Sequence, residues 1–120
     1  MSLRGVRGAT RLSVDDASEL LEASAELVQE MMTRNRLTSE HLVSVIFTCT
    51  PDLVSAFPAA AARQIGLTDV PLLCATEIAV RGAMGRVVRI LMHVDCDVPR
   101  SEVKHVFLRG TEALRVDLIP

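Results

Sequence analysis

Residues 86–96, RVVRILMHVDC, constrain this chain more than any other stretch. A run so rich in Val, Ile and Leu reads as a strand, and its apolar character places it at the centre of a sheet. Arg89 stands in its middle. A guanidinium taken out of water without a partner costs several kcal/mol, so an anion is expected to meet it. That anion is either a carboxylate of the chain or a ligand that comes and goes.

Neighbouring segments supply the rest of the sheet. LRGVRGAT (3–10) reads as a first strand, with Arg4 and Arg7 flanking Val6 and with Gly5 and Gly8 permitting close approach. SVDD (13–16) resembles a capping box that opens a helix from about Asp15 to about Asn35. Leu20, Leu21, Ala25, Leu27, Val28, Met31 and Met32 recur there near the helical period. TSEHL (38–42) is a turn or a short helical turn, and VSVIFTCT (43–50) is a second strand ended by Pro51 and Asp52. FPAAAARQIG (57–66) is a short helix with Pro58 in its first turn and Gly66 beyond its end. VPLLCA (70–75) is a third strand, RGAMG (81–85) a glycine-hinged loop, and VPRSEV (98–103) a helical turn starting at Pro99. HVFL (105–108) suits helix or strand, and about 113–120 reads as a mobile tail. The order β-α-β-α-β-β-α-β predicts a single α+β domain over 1–120, a small mixed β-sheet with helices on one face.

A chain of 120 residues is one domain's worth, with little room for a private pocket, so size alone favours a site shared between subunits. No apolar run approaches the length that spans a bilayer, so no membrane role is expected, and the N-terminus lacks the apolar core of a signal peptide. Cys49, Cys74 and Cys96 form no CxxC pair, which fits reduced thiols in a cytoplasm better than a disulfide framework or zinc site. Six acids and no base lie between Asp15 and Met32, whereas the remainder carries 13 basic residues against 9 acids. All the basic residues but Lys104 are arginine, whose planar fork binds carboxylate or phosphate bidentately; GC-rich codons produce the same excess. Three aromatic residues, all Phe, offer too little stacking for nucleic acid.

No nucleophile has a base beside it: Cys74, His41, His93 and His105 show no triad spacing. Cys49 and Cys96 read as core thiols, and His93 and His105 as hydrogen-bonded structural histidines. GATRLS and GAMG lack the glycines or the lysine of a phosphate loop, and no cluster has metal-ligand spacing. What remains is Arg89, Arg7 in the first strand, and Glu77 in CATEIAV at the end of the third. Two readings stay open. Glu77 and Arg89 form a structural ion pair, or the arginines converge on an anion pocket.

RGVRGAT, TPDLVSAFPA, VPLLCATEIAV, RVVRILMHV, DVPRSEVKHVFL and LRVDL occur in this order along the chain. Together, over about residues 3–118, they resemble the short monofunctional chorismate mutases, which are trimers forming a pseudo-α/β-barrel. The resemblance implies rearrangement of chorismate to prephenate, a pericyclic Claisen step in phenylalanine and tyrosine biosynthesis that needs no nucleophile, base, metal or cofactor. Negative charge grows on the ether oxygen as the C–O bond breaks ahead of C–C formation. A fixed cation there favours the transition state over the ground state. Arg89 is the matching cation, buried because its partner is the substrate. The resemblance further implies that Arg7 binds the enolpyruvyl carboxylate and that Glu77 and Cys74 contact the ring hydroxyl. Phe57, Ala59, Leu73 and Leu114 would line the pocket, Arg63 would meet a carboxylate at its mouth, and Arg115 would assist from the tail. It implies a homotrimer with sites between neighbouring subunits, so that a monomer is inactive.

Two positions depart from the family pattern. Phe107 stands where Tyr is common, which removes a phenolic donor, and Ala60 stands where a Lys near the mouth is common. Both bear on substrate affinity and not on the cation at the ether oxygen. The competing readings are a non-catalytic trimeric binding module for small carboxylates, using the same arginines as an anion trap, and a trimeric enamine/imine hydrolase of similar architecture.

Overall fold

The computed structural model describes residues 2–114. Its strands are β1 (Ser2–Arg11), β2 (Leu42–Cys49), β3 (Leu72–Thr76), β4 (Val87–Cys96) and β5 (Val106–Phe107). They form one mixed sheet in the order β3-β2-β4-β1-β5. β4 is central, as its apolar run predicts, and antiparallel to both β1 and β2. β3 joins β2 in parallel, and β5 joins β1 in parallel. Two helices, α1 (Ala17–Arg34) and α2 (Ala59–Gln64), cover one face. The helical turn expected at Pro99 is a single 3-10 turn, Arg100–Glu102, and HVFL resolves as a two-residue strand. The expected tail lies, from residue 115 onward, outside the described residues; Leu114 itself is held by its N–H to Thr111 O at 2.9 Å.

α1 starts later than SVDD suggests. Asp16 is the N-cap, and its carboxylate accepts the Glu19 N–H at 3.0 Å. Ser13 instead bonds Glu19 from outside the helix, donating both N–H and Oγ–H to its carboxylate. Asp16 caps because it stands, still extended, one residue before the first helical residue, Ala17. The buried face is Leu20, Ala23, Ser24, Leu27, Val28 and Met31, spaced at three and four residues. The helix ends in a Schellman motif: Leu37 N–H reaches Met32 O and Arg36 N–H reaches Thr33 O. That motif needs a left-handed residue, and Arg36 takes it at φ 54°. α2 closes the same way on Gly66, at φ 103°.

Strand alternation sorts the sheet's two faces. Val6, Val45, Phe47, Ile90, Met92 and Val94 face the helices and are buried against Leu27, Val28, Met31, Ala59 and Ala62. A smaller cluster of Leu12, Leu20, Ala23, Cys49, Leu53 and Val88 closes one end. Gly8 also faces α1: a Cβ there would meet Met31 Sδ and lie 3.0 Å from Leu27 Cδ1. The close approach expected at this glycine is therefore helix on strand. No helix among the described residues covers the opposite face, where Leu3 is 71% exposed, Leu73 61% and Leu91 36%.

Candidate functional site

Arg89 projects from the uncovered face of β4. Its side chain is 47% exposed, so the expectation of a guanidinium buried within its own strand is corrected: in the single chain it faces out, because odd-numbered β4 residues alternate away from the helices. Its Nε lies 3.1 Å from Glu77 Oε2. The contact is made at Nε, the inner edge of the fork. Glu77 follows directly on β3. Its N–H is held by Cys49 O at 2.9 Å, and Thr48 Oγ1 donates to its Oε2 at 2.7 Å.

A cleft of about 240 Å³ opens beside the pair, lined by Arg7, Ala9, Thr48, Arg89, Phe107 and Leu114 among others. Register explains the grouping. Ala9 and Thr48 are the cross-strand partners of Arg89, while Arg7 is opposite Leu91 one pleat away. Arg7 and Arg89 thus share a mostly apolar cleft, with Glu77 beside it through its contact with Arg89. Arg7 N–H donates to His105 Nδ1 at 2.9 Å, which ties β1 to the segment carrying Phe107.

A second, more open cleft of about 390 Å³ lies at the free edge of β3 and is lined by Phe57, Ala59, Arg63, Leu72, Leu73 and Cys74. Leu72 and Cys74 pack toward the core, whereas Leu73 points out. The eleven residues singled out by sequence fall into two groups with one outlier. Arg7, Arg89, Phe107 and Leu114 share the first cleft, with Glu77 attached through Arg89. Phe57, Ala59, Arg63, Leu73 and Cys74 share the second. The structure does not bring Cys74 into one cleft with Glu77, and Arg115 lies outside the described residues.

The start of β4 is fixed two residues before Arg89. Thr50 Oγ1 donates to Asp52 Oδ1 at 2.6 Å and accepts the Val87 N–H at 3.0 Å. Asp52 in turn accepts the Arg86 N–H at 3.0 Å. The Thr50 hydroxyl, and with it the Arg86 amide, holds the Asp52 carboxyl below its ordinary value. Burial pushes the Cys49 thiol up to about 12, with Cys74 and Glu77 nearby adding to it, so Cys49 is a core thiol and not a nucleophile. His93 shares a 3.1 Å hydrogen bond with Ser44, and His41 caps the turn at Thr38. Among the described residues no group of three His, Cys, Asp or Glu side chains could hold a metal, and no helix is long and apolar enough to cross a membrane. Thr48 was not singled out by sequence. Only the strand register, which places it across from Arg89, distinguishes it from other strand threonines.

Comparison with known proteins agrees with this geometry. The family model for chorismate mutase type I matches residues 3–118. The chain is 47% identical over 117 residues to chorismate mutase AroH of Thermus thermophilus, covering 97% of this chain and 96% of that protein. It is 36% identical over 119 residues to chorismate mutase AroH of Bacillus subtilis (strain 168), covering 98% and 94%. A solved structure, chorismate mutase from Clostridium thermocellum, superposes with a TM-score of 0.90 at 40% identity, covering 91% of this chain and 97% of that one. Each of these relatives is named as an enzyme, and none supports a non-catalytic binding module or an imine hydrolase.

Proposed function

The chain belongs to the chorismate mutase type I family, and from this we infer that it isomerises chorismate to prephenate on a site built around Arg89. The observation that carries the reading is the Arg89–Glu77–Thr48 constellation beside Arg7, in a cleft with no nucleophile–base pair. A unimolecular pericyclic step asks for such a site. It needs the substrate held in its reactive shape and a cation placed where charge develops.

In this reading Arg7 takes the enolpyruvyl carboxylate through its fork. Glu77 Oε1, which neither Thr48 nor Arg89 uses, accepts the ring hydroxyl. The Nη edge of Arg89 faces the ether oxygen. As the C–O bond lengthens, that oxygen gains charge next to a group already in place, so no reorganisation is required at the moment of reaction. Phe107 and Leu114 supply apolar walls.

The second group of residues completes the site from a neighbouring copy. The two clefts are lined by different surfaces, one spanning β2, β4, β1 and β5 and the other at the β3 edge. Two different surfaces that must meet define a head-to-tail contact, and such contacts close into rings. A homotrimer, the pseudo-α/β-barrel, places the exposed face bearing Leu3 and Leu91 inside the assembly and brings Phe57, Ala59, Arg63, Leu73 and Cys74 of one copy to the Arg89 cleft of the next. Such a ring would take Arg89 out of water only once assembled. Free thiols at Cys49, Cys74 and Cys96 fit a cytoplasmic location. Following the loss of chorismate's ultraviolet absorbance on adding the protein tests the reading: turnover supports it, and binding without turnover removes it.

A further inference from the structure

Thr48 lies on β2 across from Arg89 on β4 and from Ala75 on β3. Its hydroxyl therefore reaches the acid that follows β3 at the oxygen that meets the guanidinium. Oγ1 donates to Glu77 Oε2 at 2.7 Å, and the same oxygen is 3.1 Å from Arg89 Nε. The carbonyl of the next residue, Cys49, holds the Glu77 N–H. Adjacent residues of β2 thus fix Glu77 by side chain and main chain together.

A carboxylate oxygen offers about two lone-pair sites. Thr48 takes one of those of Oε2, and the Arg89 Nε lies in ion-pair contact with the same carboxylate oxygen. An arginine fork facing an unconstrained carboxylate tends to close on it through two parallel N–H···O bonds. Closure of that kind would turn an Nη atom toward the acid and weaken the charge offered to the cleft. It would also use Oε1. We propose that Thr48 is a positioning residue, whose hydroxyl limits Glu77 to a one-oxygen contact at Arg89 Nε. It thereby keeps the Nη edge of Arg89 for the ether oxygen and Oε1 of Glu77 for the ring hydroxyl. This rests on the chorismate mutase reading and deepens it by naming the group that keeps the catalytic cation from being quenched by the protein's own acid.

Four variants and the wild-type chain, all assayed on chorismate, test it. Thr48→Val keeps the branched shape and strand preference and removes the hydroxyl. It is expected to lower kcat about tenfold, the effect of one hydrogen bond to a charged group, with KM within about twofold of wild type. Thr48→Ser restores the hydroxyl and the rate. In a Glu77→Ala background, adding Thr48→Val costs nothing further, because the hydroxyl acts through the acid. A Thr48→Val chain with wild-type kcat overturns the proposal. So does an equal loss with and without Glu77, or a Thr48→Ser chain as slow as Thr48→Val, since each marks packing as the role. Should Thr48→Val not fold by circular dichroism, Thr48→Ala carries the same expectations. Absence of turnover by the wild-type chain sinks the chorismate mutase reading itself, whereas normal wild-type turnover with a silent Thr48→Val sinks only the role of Thr48.

Discussion

Glu77 Oε2 lies 3.1 Å from Arg89 Nε, and the acid is the more buried partner, its side chain 16% exposed against 47% for the arginine. An ion pair this open is screened by water and contributes about 0–1 kcal/mol to stability. Its value is positional. The guanidinium is held at one edge by an acid that is itself held by Thr48, and its other edge is offered to the cleft. Arg89→Ala is expected to lower kcat by roughly 10³-fold or more, the effect of losing one donor at a developing oxyanion, while the melting temperature stays near wild type. Arg89→Lys should also be slow, because a point charge on a flexible stem does not reproduce the fork. Stopped-time assays on chorismate with parallel thermal melts decide the matter; a folded Arg89→Ala chain with near-normal turnover removes the cation from the mechanism.

Phe107 lines the Arg89 cleft without a hydroxyl. Tyr at this position would add a phenolic donor where a substrate carboxylate is expected. One such bond is worth about 0.5–1.5 kcal/mol. Phe107→Tyr is therefore expected to lower KM by roughly 2- to 10-fold and to leave kcat nearly unchanged, since the donor serves ground state and transition state alike. Steady-state kinetics of the two chains show which constant moves; a change confined to kcat contradicts this placing of the phenol.

Much of this fold is legible in the sequence, and the illegible parts share a cause. β2 and β4 are apolar runs rich in branched residues, and α1 repeats its buried residues over 18 residues, so local pattern decides them. β5 has two residues and exists only because β1 is beside it; no local signal could settle HVFL. The Asp16 cap and the outward aim of Arg89 turn on single-residue phase, which sequence leaves loose. Arg7, Glu77 and Arg89 were visible as a charged set in apolar runs. Thr48 was not, since its importance arises from a cross-strand register between residues 41 positions apart. The division of the site into two clefts was likewise invisible, as it depends on which edge of the sheet each strand occupies.

Gly8 lets β1 pass under α1. A methyl group there would meet Met31 Sδ and approach Leu27 Cδ1, and both side chains are fully buried. Neither has room to retreat in a close-packed core. Gly8→Ala is expected to cost about 1–3 kcal/mol by overpacking, seen as a melting temperature lower by roughly 4–12 °C. A variant melting at the wild-type temperature would show that α1 shifts freely on the sheet.

Asp52 anchors the start of β4 and titrates below its ordinary value of 3.8, chiefly through the Thr50 hydroxyl. A carboxyl with a depressed folded-state pKa binds its proton less readily folded than unfolded. Its contribution to stability is thus complete above pH 3.8 and is lost as pH falls through the folded value. The wild-type melting temperature should drop across this acid window. Asp52→Asn should melt lower at neutral pH and lose less on acidification. Thermal melts from about pH 6 to about pH 2.5 provide the comparison, and parallel curves for the two chains would assign the acid sensitivity elsewhere.

The two clefts give the most direct test of assembly. Arg89 lines one and Phe57, 73% exposed, lines the other at the β3 edge of the sheet. If each working site takes one cleft from each of two copies, Arg89→Ala and Phe57→Asp chains fail for different reasons and can repair one another. Neither homogeneous protein should turn over chorismate well. Unfolding the two together and refolding the mixture should return part of the wild-type activity, because some neighbours then present an intact Arg89 cleft to an intact Phe57 surface. The wild-type chain should sediment as a trimer, and Leu91→Glu, which puts a charge on the uncovered face of β4, should sediment as a smaller, inactive species. A mixture no more active than its two components, or a fully active monomer, would place the whole site within one chain.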